Sequence, residues 1–140
     1  MAVFAATDYS VVYNSVELSS YCKTIELTVE GADLDTTGMG TTNNAFHTRI
    51  IGLKDWSVSL DLVNDFAASQ VDATIMPDII AGTSRTVTIK PTSAAVGATN
   101  PRYFGSMLAT SGTPISGGVG DLAMNKITLK GAGALTRATT

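Results

Sequence analysis

The chain has 140 residues, of which 44% are hydrophobic and 15% are charged, with a net charge of −3. This length fits one domain with a real core, and the acidic balance, with basic residues scattered along the chain, argues against a nucleic-acid-binding surface. No apolar stretch approaches the roughly 18 residues of a membrane span, and residues 1–7 lack the basic start of a signal peptide. The single Cys22 excludes an internal disulfide. We therefore expect synthesis in a cytoplasm, without export.

Most of the chain predicts short strands separated by turn-forming residues. The predicted strands cover residues 10–13, 16–18, 24–30, 55–63, 85–90, 103–110 and 121–130. The clearest is 55–63, in which Trp56, Val58, Leu60 and Leu62 alternate with polar residues. One face of this strand is therefore predicted to be buried and the other exposed to solvent. In residues 24–30 the side chains of Ile25, Leu27 and Val29 are predicted to point inward. Six or seven such strands predict an all-β sandwich or barrel.

One helix is predicted to interrupt the strands, opening at Ala67 and ending at Gly82, a natural C-terminal stop. Its apolar side chains recur at helical spacing and are predicted to share one face. They are Val71, Ile75, Ile79 and Ile80. Pro77 removes a backbone donor, so we expect a kink or a loose final turn.

Two segments predict long loops, namely 31–50 and 91–101, and both termini (1–7 and 132–140) predict arms of small residues. Long structureless segments inside a compact domain are uncommon and are usually functional or ordered by a partner. We therefore predict that 31–50 contacts another subunit and is disordered in the free monomer. Its candidate contact residues are Asp33, Asp35, Met39, Phe46, His47 and Arg49. The arms are expected to fray or to pack on a neighbour.

The side chains that carry chemistry do not assemble into a catalytic or metal site. His47 is the only histidine and has no nucleophile at a recognisable spacing, so we interpret it as a surface residue. Cys22 is expected to pack half-buried. Glu30, Asp33 and Asp35 lack the spacing of a calcium loop, and the glycines at 117–120 lack the Lys-Ser/Thr of a phosphate-binding loop. We expect no enzyme, no metal and no cofactor.

Three ordered blocks resemble a known family as a set. They are RIIGLKDWSVSLDLVNDFAASQVDAT (49–74), TVTIKPTSAAVGATNPRYFG (86–105) and GTPISGGVGDLAMNKITLKGAGALTRAT (112–139). Together they resemble the major tail proteins, or tail tube proteins, of long-tailed bacteriophages, in the short single-domain type. The chain departs from that pattern at Ser20-Tyr21-Cys22 and in the segment 38–47.

The resemblance implies an all-β fold with one flanking α-helix, a sandwich or barrel of the tail tube type formed by residues 1–140 as a single domain. It implies homo-hexameric rings that stack into a hollow tube around a tape measure protein, capped by tail terminator and tail tip proteins. DNA would pass through the tube transiently and without sequence specificity. The 31–50 loop and the arms would bridge subunits. The chain would belong to the virion tail and be assembled in the host cytoplasm.

A lumen for DNA favours acidic or neutral side chains, because carboxylates repel phosphates. The candidate lumen carboxylates are Glu26, Glu30, Asp55 and Asp61. Alternatively, some of them pair across subunits with Lys54, Arg85 or Arg49.

The rival interpretations are a tube protein of a contractile tail or related injection system, a carbohydrate-binding β-sandwich and a small hydrolase. Trp56 argues against the second, since it is predicted to lie on the apolar face of its strand.

Overall fold

The computed structural model describes residues 3–39 and 46–140. The strands in this part of the chain are β1 (Ser10–Tyr13), β2 (Val16–Glu17), β3 (Cys22–Asp35), β4 (Arg49–Val63), β5 (Ser84–Lys90), β6 (Arg102–Ser111), β7 (Met124–Gly131) and β8 (Thr136–Ala138). The helix α1 covers Val71–Ala81, and one turn of 3-10 helix covers Ser19–Tyr21. The predicted all-β fold with a single flanking helix is confirmed for these residues.

The strands form one antiparallel sheet in the order β2-β1-β5-β6-β7-β4-β3. β8 lies off this path and pairs with the first residues of β6. The sheet therefore has two edges, the two-residue strand β2 on one side and the fourteen-residue strand β3 on the other. Among the described residues β3 pairs only with β4, so that one side of its backbone is unpaired.

The core lies on the inner face of this sheet, because alternate side chains of every long strand point to the same side. Its fully buried members include Val11, Tyr13, Val58, Leu60, Leu62, Val87, Met107, Ile127 and Leu129. The sheet curls around them, since Ile25 and Leu27 of β3 line a cavity of about 210 Å³ together with Ile89 and Tyr103 from β5 and β6. The result is a partly open barrel, as the predicted sandwich or barrel requires.

Helix α1 begins four residues later than predicted, because 67–69 form a turn in which Ser69 has a φ of 62°. Val71 and Ile75 are buried and Ile79 packs against the core, as predicted, and Pro77 lies inside the helix. The helix ends at Gly82, whose φ of 70° is left-handed, so the predicted C-terminal stop is confirmed.

The predicted position of Ile80 is wrong, since its side chain is 84% exposed. Five residues separate it from Ile75, which places it well around the helix from the buried face. Asp78 faces the sheet instead: its Oδ2 accepts a hydrogen bond from the Tyr13 hydroxyl at 2.9 Å and another from Arg85 Nε at 3.2 Å. Helix α1 is thus tied to β1 and β5 through a polar contact that the apolar spacing did not indicate.

The prediction that 31–50 is a structureless loop is wrong in its outer parts. β3 continues to Asp35 and β4 begins at Arg49, with Leu34 paired to Ile50. The pairing shifts register between Gly31 and Asp33, and a Cβ on Gly31 would lie 2.2 Å from Ile51 Cδ1, so the glycine here serves a strand bulge rather than a turn. Residues 40–45 of the predicted loop lie outside the described residues.

The C-terminal arm also differs from the prediction. Residues 136–138 form β8 on the chain's own β6, and the indole Nε1 of Trp56 donates a hydrogen bond of 2.8 Å to the carbonyl oxygen of Gly133. At the N-terminus, residues 1–2 of the predicted arm lie outside the described residues. Asp8 is held by Ser93, whose backbone N–H and hydroxyl both donate to its Oδ2.

The predicted loop 91–101 is organised around one buried amide. Nδ2 of Asn100 donates to the carbonyl oxygens of Ala94 and Ala95, at 2.9 and 3.1 Å, and its Oδ1 accepts from the backbone N–H of Thr92. A closed loop of this kind needs no regular secondary structure, because its backbone groups are satisfied by a side chain.

Candidate functional site

Chemistry-bearing side chains do not gather in the described part of the chain, where no group of three metal-ligating residues occurs. His47 is exposed, and its Nδ1 lies 3.0 Å from Oδ2 of Asp35. Hydrogen bonds from the Thr37 hydroxyl and backbone N–H, followed by the contact with His47, hold the pKa of Asp35 below its usual value.

Cys22 packs half-buried against the core, as predicted, and burial raises the pKa of its thiol.

Among the described residues, α1 falls short of the length and apolarity that a membrane-crossing helix requires. The features available to act on a partner are therefore surfaces: the free edges of the sheet, a projecting hairpin and the outward face of the sheet.

The hairpin is the part of β3 and β4 that extends past the end of β7. Pairing between β4 and β7 stops at Ser57, opposite Lys130, so that β4 before this point has only β3 as a partner. We call residues 29–39 and 46–54 the distal hairpin. Val29 is predicted to point inward, but its side chain is more than half exposed. At this position β3 extends past the end of β7, and no further strand among the described residues packs over the Val29 side chain.

The distal hairpin exposes an unusual number of large apolar side chains. They are Val29, Leu34, Met39, Phe46, Ile50, Ile51 and Leu53. Leu53 is 91% exposed and Phe46 is 74% exposed. Concentrated apolar exposure of this kind on a projecting element is typical of a surface that another protein covers.

Ion pairs accompany this apolar surface along the hairpin. Nε of Arg49 lies 3.3 Å from Oδ2 of Asp33, and both side chains are more than half exposed. The structure therefore brings the six predicted contact residues into one element: Asp33, Asp35 and Arg49 on its strands, and Met39, Phe46 and His47 in the connection between them. What the distal hairpin contacts stays a prediction.

The predicted lumen carboxylates share the outward face of the sheet. Glu26 and Glu30 lie on β3, and Asp55 and Asp61 lie on the neighbouring strand β4, with Glu30 directly opposite Asp55. We call these four residues the acidic half of the outward face. The sequence alternation correctly places them on the polar side, while their position in a lumen stays a prediction.

Beside the acidic half lies a matching group of cations that the sequence did not indicate. Lys126 and Lys130 lie on β7, with Lys126 opposite Asp61. Lys90 ends β5 and Arg102 begins β6 on the same face, since the adjoining pair Ile89 and Tyr103 points inward. We call these four residues the basic half. Lys90, Arg102 and the lysine pair of β7 are separated in the sequence, and the strand order β7-β6-β5 brings them onto one face.

Two of the three bases proposed as intersubunit partners are occupied within the chain. Arg85 lies on the inner face and donates through Nε and Nη2 to Asp78, at 3.2 Å in both cases. This contact raises the pKa of the Arg85 guanidinium. Arg49 pairs with Asp33. Neither pairing is with one of the four predicted lumen carboxylates.

Comparison with solved structures relates the fold to tail tubes. A chain from the tail of an empty gene transfer agent particle, refined with C6 symmetry, aligns with a TM-score of 0.70 at 15% identity, covering 84% of this chain and 82% of that one. A chain of the SPP1 tail tube aligns with a TM-score of 0.71 at 14% identity over 99% and 80% of the two chains.

A third similar chain comes from the sheath-tube complex of PVC, an extracellular contractile injection system, in its extended state. It aligns with a TM-score of 0.69 at 12% identity, covering 99% of this chain and 93% of that one. No protein-family model and no curated protein sequence matches the chain. The chain thus has the fold of tail tube proteins, which confirms the fold that the sequence resemblance implied.

Proposed function

We propose that this protein is a structural virion protein, the subunit of stacked hexameric rings that form a hollow tail tube for DNA delivery to the host. The observation that carries the proposal is an almost full-length match to the SPP1 tail tube fold, together with the free edge strand β3 on an open sheet whose other end is the two-residue strand β2. The sixfold symmetry follows the gene transfer agent tail, whose structure was refined with C6 symmetry.

The free edges supply the contact within a ring. A long edge strand presents unpaired N–H and C=O groups that favour pairing with another chain. β3 offers this edge over fourteen residues, and the β2–β1 edge lies at the other end of the same sheet. Joining β3 of one subunit to the opposite edge of the next is a heterologous contact, which closes into a ring when the rotation allows.

The distal hairpin supplies the contact between rings. Its exposed apolar side chains, of which Met39 and Leu53 are the most exposed, become buried against a subunit of the adjacent ring, with Asp33 and Arg49 at the margin. Stacking then extends the ring into a tube. The partners that the tube would meet are a tape measure protein in the lumen, tail terminator and tip proteins at its ends and DNA in transit. Assembly would take place in the host cytoplasm.

The outward face of the sheet lines the lumen in this proposal. It is rich in Ser and Thr, and the four carboxylates of its acidic half balance the four cations of its basic half, so that it offers DNA no net positive charge to bind. The four carboxylates Glu26, Glu30, Asp55 and Asp61 have no ion pair among the described residues. Replacing a lumen carboxylate such as Asp61 with lysine should slow DNA ejection while tubes remain visible, and unchanged ejection kinetics would remove Asp61 from the lumen.

Negative-stain microscopy of the purified protein tests the function directly. Rings about as wide as a phage tail tube, or tubes built from them, are the expected result. A chain that stays monomeric at every concentration would contradict the proposal, and glycan binding by that monomer would favour the adhesive alternative. Trp56 gives that alternative no aromatic platform, because its side chain is only 6% exposed.

A tube of a contractile tail or injection system is the second candidate, and the likeness to the PVC sheath-tube complex favours it specifically. The two candidates share the fold and differ in whether a sheath surrounds the tube. Co-expression with the products of adjacent genes separates them: a sheath that copurifies around the tubes supports the contractile form. Bare tubes that are competent for DNA transfer support the long-tailed phage form.

A further inference from the structure

An open hollow of about 510 Å³ lies on the outward face at the β2–β1 edge of the sheet. Ser10, Thr88, Lys90 and Arg102 line it from β1, β5 and β6. Ser10 is opposite Lys90 in the β1–β5 pairing, so the two cations sit one and two strands from β1. Asp8 and Glu17 also line the hollow, so two cations and two carboxylates lie beside the edge at which the next subunit would join.

Neither cation of this hollow forms an ion pair among the described residues, although the charge of Lys90 contributes to lowering the pKa of Asp8. The Arg102 guanidinium lies 4.7 Å above the ring of Phe104, and its buried Nε has no hydrogen-bond partner among the described residues. Nζ of Lys90 donates to the carbonyl oxygens of Ser93 and Ala94. A buried donor without an acceptor is costly, and an anionic group entering the hollow would remove that cost.

The carboxylates already present in the hollow are engaged elsewhere. Asp8 accepts from the backbone N–H and the hydroxyl of Ser93, and these hydrogen bonds lower its pKa. Glu17 accepts from the hydroxyl of Ser19. Neither carboxylate forms an ion pair with Arg102 among the described residues, so the Arg102 guanidinium can bind a further carboxylate.

Carboxylates without partners occur at the opposite edge of the same sheet. Glu26 and Glu30 are exposed on the outward face of β3, and neither forms an ion pair among the described residues. Both belong to the strand whose backbone is free to pair. In the described part of the chain, one face thus has two acids without an ion pair at one edge and a hollow at the other edge in which neither Lys90 nor Arg102 has an ion pair.

We propose that, in the ring of the proposed function, Glu26 and Glu30 of one copy enter the hollow of the next copy and pair with its Lys90 and Arg102. Complementary charges at the two edges give the joint a direction, because β3 is repelled by a second β3 and attracted by the β2–β1 edge. The same pairing neutralises two cations of the outward face, so that DNA passing over the face meets fewer free bases.

Charge reversal tests the pairing in the full-length chain. An acid-reversed chain (Glu26→Lys with Glu30→Lys) and a base-reversed chain (Lys90→Glu with Arg102→Glu) are each expected to lose ring formation by about tenfold or more, measured by mass photometry. Mixed in equal amounts, they should recover rings, since each donor edge then meets an acceptor of opposite sign. The rings would contain the two chains in alternation, which native mass spectrometry detects as three copies of each.

The matched control also changes two acidic residues to lysine, at positions away from the β3 edge. Asp72→Lys with Asp121→Lys makes the same change of charge on helix α1 and in the connection between β6 and β7, and it should form rings as well as the unaltered chain. Rings from the acid-reversed chain alone, or mixtures that never recover, would overturn the pairing while leaving the tube function intact. An unaltered chain that forms no rings would overturn both.

Arg102 is partly buried, so the base-reversed chain needs a check of its fold by circular dichroism. If it does not fold, the exposed Glu26 and Glu30 positions still decide the matter. Ring formation by the unaltered chain should weaken as salt rises through the range where the Debye length falls from about 10 Å to about 3 Å, whereas salt should matter less for Glu26→Gln with Glu30→Gln. Equal salt dependence of the two chains would contradict the pairing.

Discussion

Trp56 and Gly133, 77 residues apart in sequence, are joined by a hydrogen bond of 2.8 Å from the indole Nε1 to the carbonyl oxygen. The indole lies in a space that two other glycines leave open, Gly105 on β6 and Gly131 on β7. Trp56 thereby holds the segment that leads into β8. Because β8 covers the first residues of β6, this hydrogen bond helps to hold a third sheet edge closed.

Gly131→Ala should destabilise the subunit, because its Cβ would lie 2.2 Å from Nε1 of Trp56. Overpacking of this kind costs about 1–3 kcal/mol, which thermal unfolding of the monomer would report as a lower melting temperature. Gly133→Ala is the matched control, since a Cβ there would have no heavy atom within 4 Å. Equal melting temperatures for the two variants would show that the Trp56 indole can be accommodated without the space left by Gly131.

Asp78→Asn should loosen helix α1, since the carboxylate is 7% exposed and accepts hydrogen bonds from both Tyr13 and Arg85. The expected loss is about 1.5–3 kcal/mol of unfolding free energy, the range for hydrogen bonds to a charged group. Asp72→Asn removes the same charge from the first turn of the helix, where it should cost less than about 1 kcal/mol. Urea denaturation compares the two, and equal losses would contradict an anchoring role for Asp78.

The strands and the helix could be predicted because their signals are local. β1 was predicted residue for residue, and the alternation around Trp56 identified the buried face of β4. The end of helix α1 at Gly82 requires only a residue that adopts the left-handed backbone conformation, which a glycine in the sequence indicates. Each of these signals depends on near neighbours in the sequence, so a single sequence is enough to show it.

The parts that could not be predicted depend on distant neighbours. The distal hairpin was hidden because Gly31 serves a bulge against Ile51, and turn-forming residues follow it. β8 has only three residues and takes its position from β6 and Trp56. The cations at Lys90 and Arg102 become one cluster only when strand order is known. Sequence spacing contains none of these relationships.

Stability should fall as pH rises above about 10, the ordinary pKa of tyrosine. Burial, and then the hydrogen bond to Asp78, raise the pKa of Tyr13 well above its usual value. Between the two values the unfolded chain releases a proton that the folded chain retains, so that alkali favours unfolding. The stabilisation is complete below pH about 10 and is lost as pH rises toward the folded pKa.

Tyr13→Phe removes this proton and should flatten the alkaline decline measured by urea denaturation at pH about 8 and about 11. Some decline should remain, since the hydrogen bond to Asp65 also raises the pKa of Tyr21. A decline equally steep in Tyr13→Phe and in the unaltered chain would assign the alkaline sensitivity to other groups.

Leu53→Ser should separate assembly from folding. Leu53 is 91% exposed on the distal hairpin, so the change should alter monomer stability by less than about 0.5 kcal/mol. If the hairpin joins adjacent rings, the same change places a hydroxyl in a buried apolar contact and should shorten tubes or arrest them as single rings. Tube length in negative-stain micrographs, at matched protein concentration, is the measurement.

Val119→Ser makes a comparable apolar-to-polar change at another fully exposed position, in the connection between β6 and β7. It lowers surface hydrophobicity without touching the distal hairpin, and tubes of normal length are expected from it. Short tubes from both variants would indicate that stacking responds to total apolar surface. Short tubes from Leu53→Ser alone would place the contact between rings on the hairpin, because β4 carries Leu53 beyond the end of β7, where no strand of its own subunit covers it.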